Sequence, residues 1–416
     1  MQEFLPVVPK ILQAFWQMLI NPIFWLVVIF VAYQYRRYSR MKEDLFGVKG
    51  EPIWQHTLLA TGHGIIGGLV GSFLMVLVGI SLGDIGIGYL WLLAVLLMFV
   101  SPRFLCFSYS GGIISLSYLL LGWPRVDVPQ LMGLVAILHM VESVLILVSG
   151  HLGAMPIYTR AKDGRVVGGF NLQKFWPIPI VGMLLMQLPG SQVVQGMVSM
   201  PEWWPLIKPS LVANLDNVVY LILPVVAGLG YGDLALTSVP EKKSRRTAVF
   251  LNIYSLVLLL LAIAASYWPI LAISAALFAP LGHEYVIKLG RQSELKGEPL
   301  YVSPEEGVMV LDVLRGTAAA RAGLKSSDII KTMNGASINN GSDLRMVLEK
   351  IDEPRLEISY INRSGQSVRK VVAKDDREPF GTILVPEPYQ QPQVEFGSAG
   401  LLVRWWRRLM GKLGRG

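Results

Sequence analysis

Long apolar runs recur through the first 285 residues of this chain, and they are its strongest structural constraint. The hydrophobic fraction is 53%, the charged fraction only 16%, and the mean hydropathy +0.49. Soluble domains average about 45–50% apolar and about 25% charged residues, so the surplus predicts burial in lipid. Because a membrane span needs about 17–25 residues, we predict a polytopic α-helical membrane domain over residues 1–290, with six to nine spans. The candidate spans lie near 11–33, 57–80, 86–101, 104–122, 130–150, 175–190, 217–236, 248–266 and 268–286.

Basic residues fall in short clusters between the apolar runs, and this pattern predicts an orientation in the membrane. One cluster follows the first run, and two others lie near 160–174 and 242–246. Alternating crossings place all three clusters in the cytosol. If 248–286 is a helical hairpin broken at Trp268-Pro269, everything after residue 287 is cytosolic as well. A net charge of +8 in such clusters suits an anionic membrane surface and predicts no nucleic-acid partner.

The composition changes after residue 290 to the alternation expected of a small soluble α+β domain, which we place at 295–376. We predict a strand at 308–313, a short helix at 318–322, a helix from an N-cap at Ser342 to Lys350, and a final hairpin from "RLEISYINR" and "QSVRKVVA". The G-V-x-V strand, the A-G-L before S-D-I-I and the N-G turn resemble a bacterial-type PDZ domain.

The PDZ resemblance implies a peptide-binding groove, because such domains take an extended peptide as one more strand beside a helix. The loop that would bind a carboxylate departs here from the Gly-Leu-Gly-Phe pattern. Internal segments or folded partners are therefore alternatives to a free C-terminus, and a PDZ domain used only for packing stays open. The groove residues implied in this way are Leu300, Tyr301 and Val302 in the loop, Gly307, Val308, Met309, Val310 and Leu311 on the strand, and Leu344, Val347 and Leu348 on the helix.

The last segment, 377–416, is predicted to be a Pro-rich linker followed by a basic amphipathic tail. The tail sequence "GLLVRWWRRLMGKLGRG" holds Trp405, Trp406, Arg407 and Arg408. A basic, tryptophan-bearing segment is typical of binding to anionic lipids at the membrane surface. A disordered, solubilising tail is the alternative.

Two protease motifs begin in this sequence without being completed. His283-Glu284 is the first half of H-E-x-x-H, but position 287 is isoleucine, and the string "HMVES" at 139–143 also lacks its second histidine. Gly79-Ile80-Ser81 fits a serine nucleophile string at the end of a predicted span and carries little weight. The single Cys106 excludes a disulfide framework and a cysteine-based metal site within one chain. We therefore predict no catalytic residues, metal ligands or cofactors.

The glycine string and the ionisable residues inside the predicted spans each allow two interpretations. The string Gly62–Gly67 has the G-x-G-x-x-G spacing of dinucleotide sites, but within a span Gly64/Gly68 and Gly67/Gly71 are typical of close helix packing. His139 and Glu142 are costly in lipid and are candidate functional residues. We favour a hydrogen-bonded clamp between helices over a proton or ion relay for this pair.

The basic loop near 150–174 predicts a small hairpin. Residues 156–159 and 165–167 flank the turn Lys162-Asp163-Gly164, which is suited to connecting two strands. A docking surface and a rigid connector are equally compatible with this loop.

The architecture, the segment "HMVESVLILVSGHLGAMPIYTRAKDGRVVGGFNLQKFWPIPI" and the "LGHE" run resemble the MinJ family of cell-division topology determinants of Gram-positive rods. The resemblance implies a non-enzymatic scaffold in the bacterial cell membrane, enriched at septum and poles, with its PDZ domain in the cytoplasm. It implies MinD-like and DivIVA-like partners and other divisome membrane proteins, and allows a homo-oligomer. The alternatives are a PDZ-containing regulator of a protease or signalling pathway, and a transporter that uses His139 and Glu142.

Overall fold

The N-terminal region combines apolar helices with a long β-hairpin. The structure is a computed structural model that describes residues 2–48, 52–187, 200–211, 218–373 and 378–392. The helices are α1 (Val8–Ile20), α2 (Pro22–Phe46), α3 (Ile53–Val78), α4 (Ile87–Val100), α5 (Phe107–Leu121), α6 (Val128–Ser149), α7 (Pro240–Tyr267) and α8 (Leu271–Lys296). Between α6 and α7 lie the strands β1 (Met155–Arg160), β2 (Val166–Gln187) and β3 (Val218–Ala235), which form one antiparallel sheet.

Three of these helices, α3, α6 and α7, are long and apolar enough to cross a membrane. The pair α1 and α2 is bent by 59° and adds a fourth candidate if it forms one broken span. The helices α4 and α5 are apolar but shorter than a span requires. Three to four candidate spans are thus present in the described part of the chain, and the six to nine spans that the sequence predicts are not confirmed. The break predicted at Trp268-Pro269 is confirmed, because it separates α7 from α8.

The predictions of helical spans at 175–190 and 217–236 are wrong, because residues 175–187 belong to strand β2 and residues 218–235 to strand β3. The two strands pair antiparallel along their whole shared length, from Phe170↔Ala235 to Gln187↔Val218. Pro177 and Pro179 explain the difference, since two prolines in a helix interior would each remove a hydrogen bond and clash with the preceding turn. A strand buried on both faces is nearly as apolar as a span, so hydropathy does not separate the two.

The outer edge of β2 is covered by a glycine face of α3. Strand β1 pairs with β2 only as far as Asn171, so the rest of this edge needs other partners. A Cβ atom at Gly64 would overlap the carbonyl oxygen of Pro177, and one at Gly68 would overlap that of Pro179. Alternate residues of a strand direct their backbone groups to the same edge, and these two prolines have no N–H to leave unpaired there. The helix backbone therefore lies directly on the strand edge.

Serine hydroxyls accept the N–H groups farther along the same edge. The Val181 N–H donates to Ser72 Oγ at 2.8 Å, and the Leu185 N–H donates to Ser81 Oγ at 3.0 Å. An unpaired backbone group in lipid costs several kcal/mol, so these hydroxyls replace the missing neighbouring strand. Ser81, which carries the serine nucleophile string, is engaged in this structural role.

The second glycine pair of α3 packs against a helix. A Cβ atom at Gly67 would lie 3.1 Å from Leu145 of α6, and one at Gly71 would lie 2.9 Å from Val141 of α6. The interpretation of the glycine string as a packing motif is confirmed. Gly67 and Gly71 face α6, and Gly64 and Gly68 on the adjacent face of α3 contact β2.

The C-terminal region is the predicted α+β domain. Its elements are β4 (Val308–Val313), α9 (Ala318–Arg321), β5 (Ile329–Met333), β6 (Ala336–Ser337), α10 (Gly341–Lys350), β7 (Arg355–Ile361), β8 (Ser367–Ala373) and β9 (Thr382–Leu384). The sheet order is β8-β7-β5-β4-β9, with β6 paired to β5. The N-cap of α10 is Asn340, whose side chain accepts the Asp343 N–H at 2.9 Å, so the prediction of Ser342 as N-cap is wrong.

Replacing Gly68 by alanine tests the contact between α3 and β2. Alanine ordinarily stabilises a helix relative to glycine, but here its methyl group would overlap the Pro179 carbonyl. Overpacking of this kind typically costs about 1–3 kcal/mol, so we expect a lower thermal unfolding midpoint for the purified protein.

Gly62→Ala is the matched control on the same helix, because a Cβ atom there meets nothing within 4 Å in the described structure. Its midpoint is expected to be equal to the wild type or slightly higher. Equal midpoints for the two variants would contradict the close approach of α3 to β2.

Candidate interaction site

The edge of β4, where the PDZ resemblance implies that a peptide adds, carries a strand of the same chain. Strand β9 pairs antiparallel with β4, with Val310 opposite Leu384. The Val385 N–H donates to the Met309 carbonyl at 2.9 Å, which extends the pairing beyond the strand itself. Residues that the sequence assigns to a linker therefore complete the sheet.

The helical wall of the groove also contacts this segment. Leu344 is buried in the core of the domain, and Val347, Leu348 and Leu384 pack against the same core. Glu387 accepts the Gly341 N–H at 2.8 Å, which places a carboxylate at the N-terminus of α10, where the helix dipole favours negative charge. The segment thus binds both walls that an added peptide would use.

A small cavity remains beside β9. Its volume is about 180 Å³, below the roughly 300–1,000 Å³ of typical ligand pockets. A partner peptide in the predicted groove would therefore compete with residues 380–388 rather than fill an open cleft. The cavity is lined by Ser303, Val308, Met309, Asn339, Asn340, Leu384, Val385, Glu387 and Pro388.

The predicted carboxylate-binding loop contacts the N-terminal region instead of solvent. The Leu300 N–H donates to the Leu236 carbonyl at 2.8 Å, and the Gly168 N–H donates to the Tyr301 carbonyl at 2.9 Å. The Tyr301 side chain is fully buried, and its ring meets that of Phe170 edge-on at 5.3 Å between centroids. Val302 next to it is half-buried. This loop is the seat of the PDZ domain on the β-hairpin.

Further contacts join the two regions around this seat. Lys42 of α2 forms an ion pair with Asp312 at 3.0 Å, and Leu311 packs in the apolar cluster of the N-terminal region. The Tyr158 hydroxyl donates to the Leu384 carbonyl at 2.8 Å. Burial raises the pKa of Tyr158 to about 12, so the phenol keeps its proton and remains a donor at neutral pH.

A buried charge network holds the chain that leads into the PDZ domain. Lys243 is 1% exposed and lies 3.3 Å from a carboxylate oxygen of Asp233 and 4.0 Å from one of Glu294. Glu294, near the end of α8, also accepts the backbone N–H groups of Leu236 and Thr237 at 2.8 Å each. Because buried charges are costly unless paired and hydrogen-bonded, this network specifies one position for the end of α8 relative to β3.

His139 lies at the meeting point of several helices, as a clamp requires. Its Nε2 atom is 3.0 Å from Cys106 Sγ and 3.2 Å from Ser108 Oγ, and its ring meets that of His283 at 5.0 Å between centroids. Glu142 is half-buried one turn farther along α6. No sequence pattern predicts that Cys106 and His283 lie beside His139, because the three residues belong to separate elements and share no motif.

His283 and Glu284, adjacent in sequence, have different partners. Glu284 forms an ion pair with Arg103 at 3.1 Å and accepts the Tyr109 hydroxyl at 2.6 Å. The pair therefore does not act as one unit in the described structure. The predicted lipid-binding residues Trp405, Trp406, Arg407 and Arg408 lie outside the described residues.

Replacing Tyr301 by alanine should loosen the PDZ domain from its seat. Deleting a buried aromatic ring costs about 3–5 kcal/mol, much of it here in contacts with the hairpin. We expect a broader distance distribution between nitroxide labels at the exposed positions 162 and 364, measured by pulsed electron paramagnetic resonance in lipid nanodiscs.

Tyr389→Ala is the control, because this tyrosine is 76% exposed and lies in the same domain. Its distance distribution should match the wild type. An unchanged distribution in Tyr301→Ala would show that the seat does not hold the domain.

The comparisons with known proteins agree with this architecture. The PDZ domain family matches residues 286–357. The chain is 25% identical over 404 residues to the cell division topological determinant MinJ of Bacillus subtilis (strain 168), a match that covers 91% of this chain and 96% of that protein. The resemblance that the sequence predicts is confirmed: the chain is similar to MinJ over nearly its whole length and carries a PDZ domain at its C-terminal side.

Proposed function

We propose that this protein is a non-enzymatic membrane scaffold that takes part in placing the division site. The observation that carries the proposal is the length of the match to MinJ, which includes both the apolar region and the PDZ domain. A likeness confined to the PDZ domain would fit any PDZ-bearing membrane protein, including a regulator of a protease. A likeness that extends through both the apolar region and the PDZ domain favours a role as a division determinant.

The seat of the PDZ domain supports a scaffold. The contacts of Tyr301, Asp312 and Leu384 with the N-terminal region fix the domain beside the hairpin instead of leaving it on a free linker. Partners bound to the PDZ domain and to the loops beside it would then be held at a constant mutual position. A peptide that uses the β4 edge must displace β9, so groove binding would be conditional.

The scaffold would link a DivIVA-like protein at poles and septa to a MinD-like protein, together with other divisome membrane proteins. It would lie in the bacterial cell membrane as a multi-pass protein, with the PDZ domain in the cytoplasm and enrichment at septum and poles. Anionic lipids would bind the basic tail, and the chain could act as a homo-oligomer.

A fluorescent fusion of the full chain tests this function. In a rod-shaped Gram-positive host that lacks its own MinJ, we expect fluorescent rings at septa, signal at the poles and fewer misplaced septa. The same fusion without residues 295–392 is expected to stay in the membrane and to fail in restoring septum placement. A uniform membrane signal from the full chain, with septa still misplaced, would contradict the proposal.

Glu142→Gln separates the scaffold from a transporter. A scaffold keeps its localisation and its effect on septum placement with an uncharged side chain at this position, because neither depends on proton transfer. A relay would lose its function with the protein still present at wild-type level in the membrane. Complementation of septum placement is the readout, and its loss at normal localisation would contradict the scaffold.

A further inference from the structure

Three side chains of metal-ligating type converge inside the helical region. Cys106 lies just before α5, His139 is in the middle of α6, and His283 is in the middle of α8. One ligand atom from each can be chosen so that all three lie within 4.8 Å of one another. Cys106 Sγ is 3.0 Å from His139 Nε2 and 3.7 Å from His283 Nε2.

These spacings match the ligand set of a tetrahedral metal ion. Bonds of about 2.3 Å to sulfur and about 2.0–2.1 Å to nitrogen place neighbouring ligand atoms about 3.5 Å apart. The two distances from Cys106 Sγ, 3.0 and 3.7 Å, lie on either side of that value, and the two imidazoles offer ligand atoms within 4.8 Å of each other. In contrast to the sequence-based prediction of no metal ligands, we propose that Cys106, His139 and His283 bind a divalent transition metal ion, with Zn²⁺ as the best match to one thiolate and two imidazoles.

The hydrogen bonds of His139 prepare it as a ligand. Its Nδ1 atom is 2.7 Å from the Val135 carbonyl, a contact that requires the proton on Nδ1. The lone pair of Nε2 is then directed to the side of the ring where Cys106 lies. Metal-binding histidines commonly donate their second ring N–H to a backbone carbonyl in this way.

His283 supplies an independent sign of an unmet interaction. Its side chain is 9% exposed, and its Nδ1 atom is buried with no hydrogen-bond partner among the described residues. A buried polar atom without a partner costs about 1–3 kcal/mol, so its retention calls for an explanation. A metal bond at Nδ1 would supply the missing partner directly, whereas one at Nε2, the nitrogen that lies 3.7 Å from Cys106 Sγ, would fix the ring in the cluster and leave Nδ1 unpaired.

Polar groups surround the three ligands. Ser108 Oγ lies 2.8 Å from the Tyr254 hydroxyl, which in turn donates to the Ala279 carbonyl at 2.9 Å. Glu142 lies one turn from His139 on α6 and is half-buried.

Metal binding would release the Cys106 thiol proton to solvent, leave both imidazoles neutral, and change no oxidation state. The ion would tie the start of α5 and the middle of α6 to α8. Because α8 leads directly into the PDZ domain, metal occupancy would fix the helix that carries this domain. This role is separate from partner binding and does not depend on the proposed cell-division function.

Metal content of the full-length protein tests the proposal. The protein is purified in detergent and chelator-free buffer through an affinity tag that contains no histidines. Its zinc content is measured by inductively coupled plasma mass spectrometry. We expect about one Zn²⁺ per chain. Cys106→Ser and His139→Gln should each lower this to less than about a tenth, whereas His63→Gln, at a half-buried histidine of α3 outside the cluster, should keep it.

Cobalt provides a second readout that does not depend on the variants folding. Wild-type protein reconstituted with Co²⁺ should show a thiolate-to-cobalt charge-transfer band in the near ultraviolet. The proposal is overturned if folded, monodisperse wild-type protein holds no zinc and gives no cobalt–thiolate band. It is equally overturned if Cys106→Ser or His139→Gln retains wild-type zinc, since the ion would then bind elsewhere.

Discussion

The contact between the glycine face of α3 and the proline-bearing edge of β2 is the interaction on which the rest of this structure depends. A strand beside an apolar helix has no water to pair with its open edge, and unpaired backbone groups there cost several kcal/mol each. The chain meets this constraint with residue types rather than with another strand. Prolines at 177 and 179 remove N–H groups, glycines at 64 and 68 admit the carbonyl oxygens, and serine hydroxyls accept the N–H groups of Val181 and Leu185.

The same strand connects this edge to the PDZ domain. Its middle packs on α3, and its first residues, Gly168 and Phe170, contact Tyr301. The network of Lys243, Asp233 and Glu294 fixes the other connection, through α8. Two routes thus join the membrane region to the domain, which is the property that a scaffold needs.

The sequence predicts the elements that depend on local pattern and fails where distant residues decide. The strand at 308–313, the helix ending at Lys350, the turn at 162–164 and the break after Tyr267 follow from turn residues and periodicity, and the structure has them. The strands at 175–187 and 218–235 were predicted to be helical spans because both are nearly as apolar as a span, β2 being buried along most of its length and β3 half-buried. The spacing P-x-P at 177–179 was the available signal against a helix.

The residues of the candidate interaction site also divide into those that local sequence pattern predicts and those that only the fold brings together. The groove strand and helix could be located from the PDZ pattern, but not their occupation by β9, because that pairing joins residues about 70 positions apart. The convergence of Cys106, His139 and His283 has no sequence signature, since the three residues come from separate elements whose packing decides their distance. Motifs built on one helix can be found from spacing, whereas sites built between helices require the fold.

Disulfide mapping of the long hairpin tests the central claim most directly. In the strands, Asn171, Gln173 and Phe175 lie on one face opposite Leu234, Gly232 and Gly230 respectively. Cysteine pairs at 171/234, 173/232 and 175/230 should therefore all cross-link in membranes, each in higher yield than pairs shifted by two residues along one strand. In two packed helices, residues two positions apart point to different sides, and residues three or four apart share a face. Cross-links confined to positions three or four apart would therefore contradict the antiparallel pairing of β2 and β3.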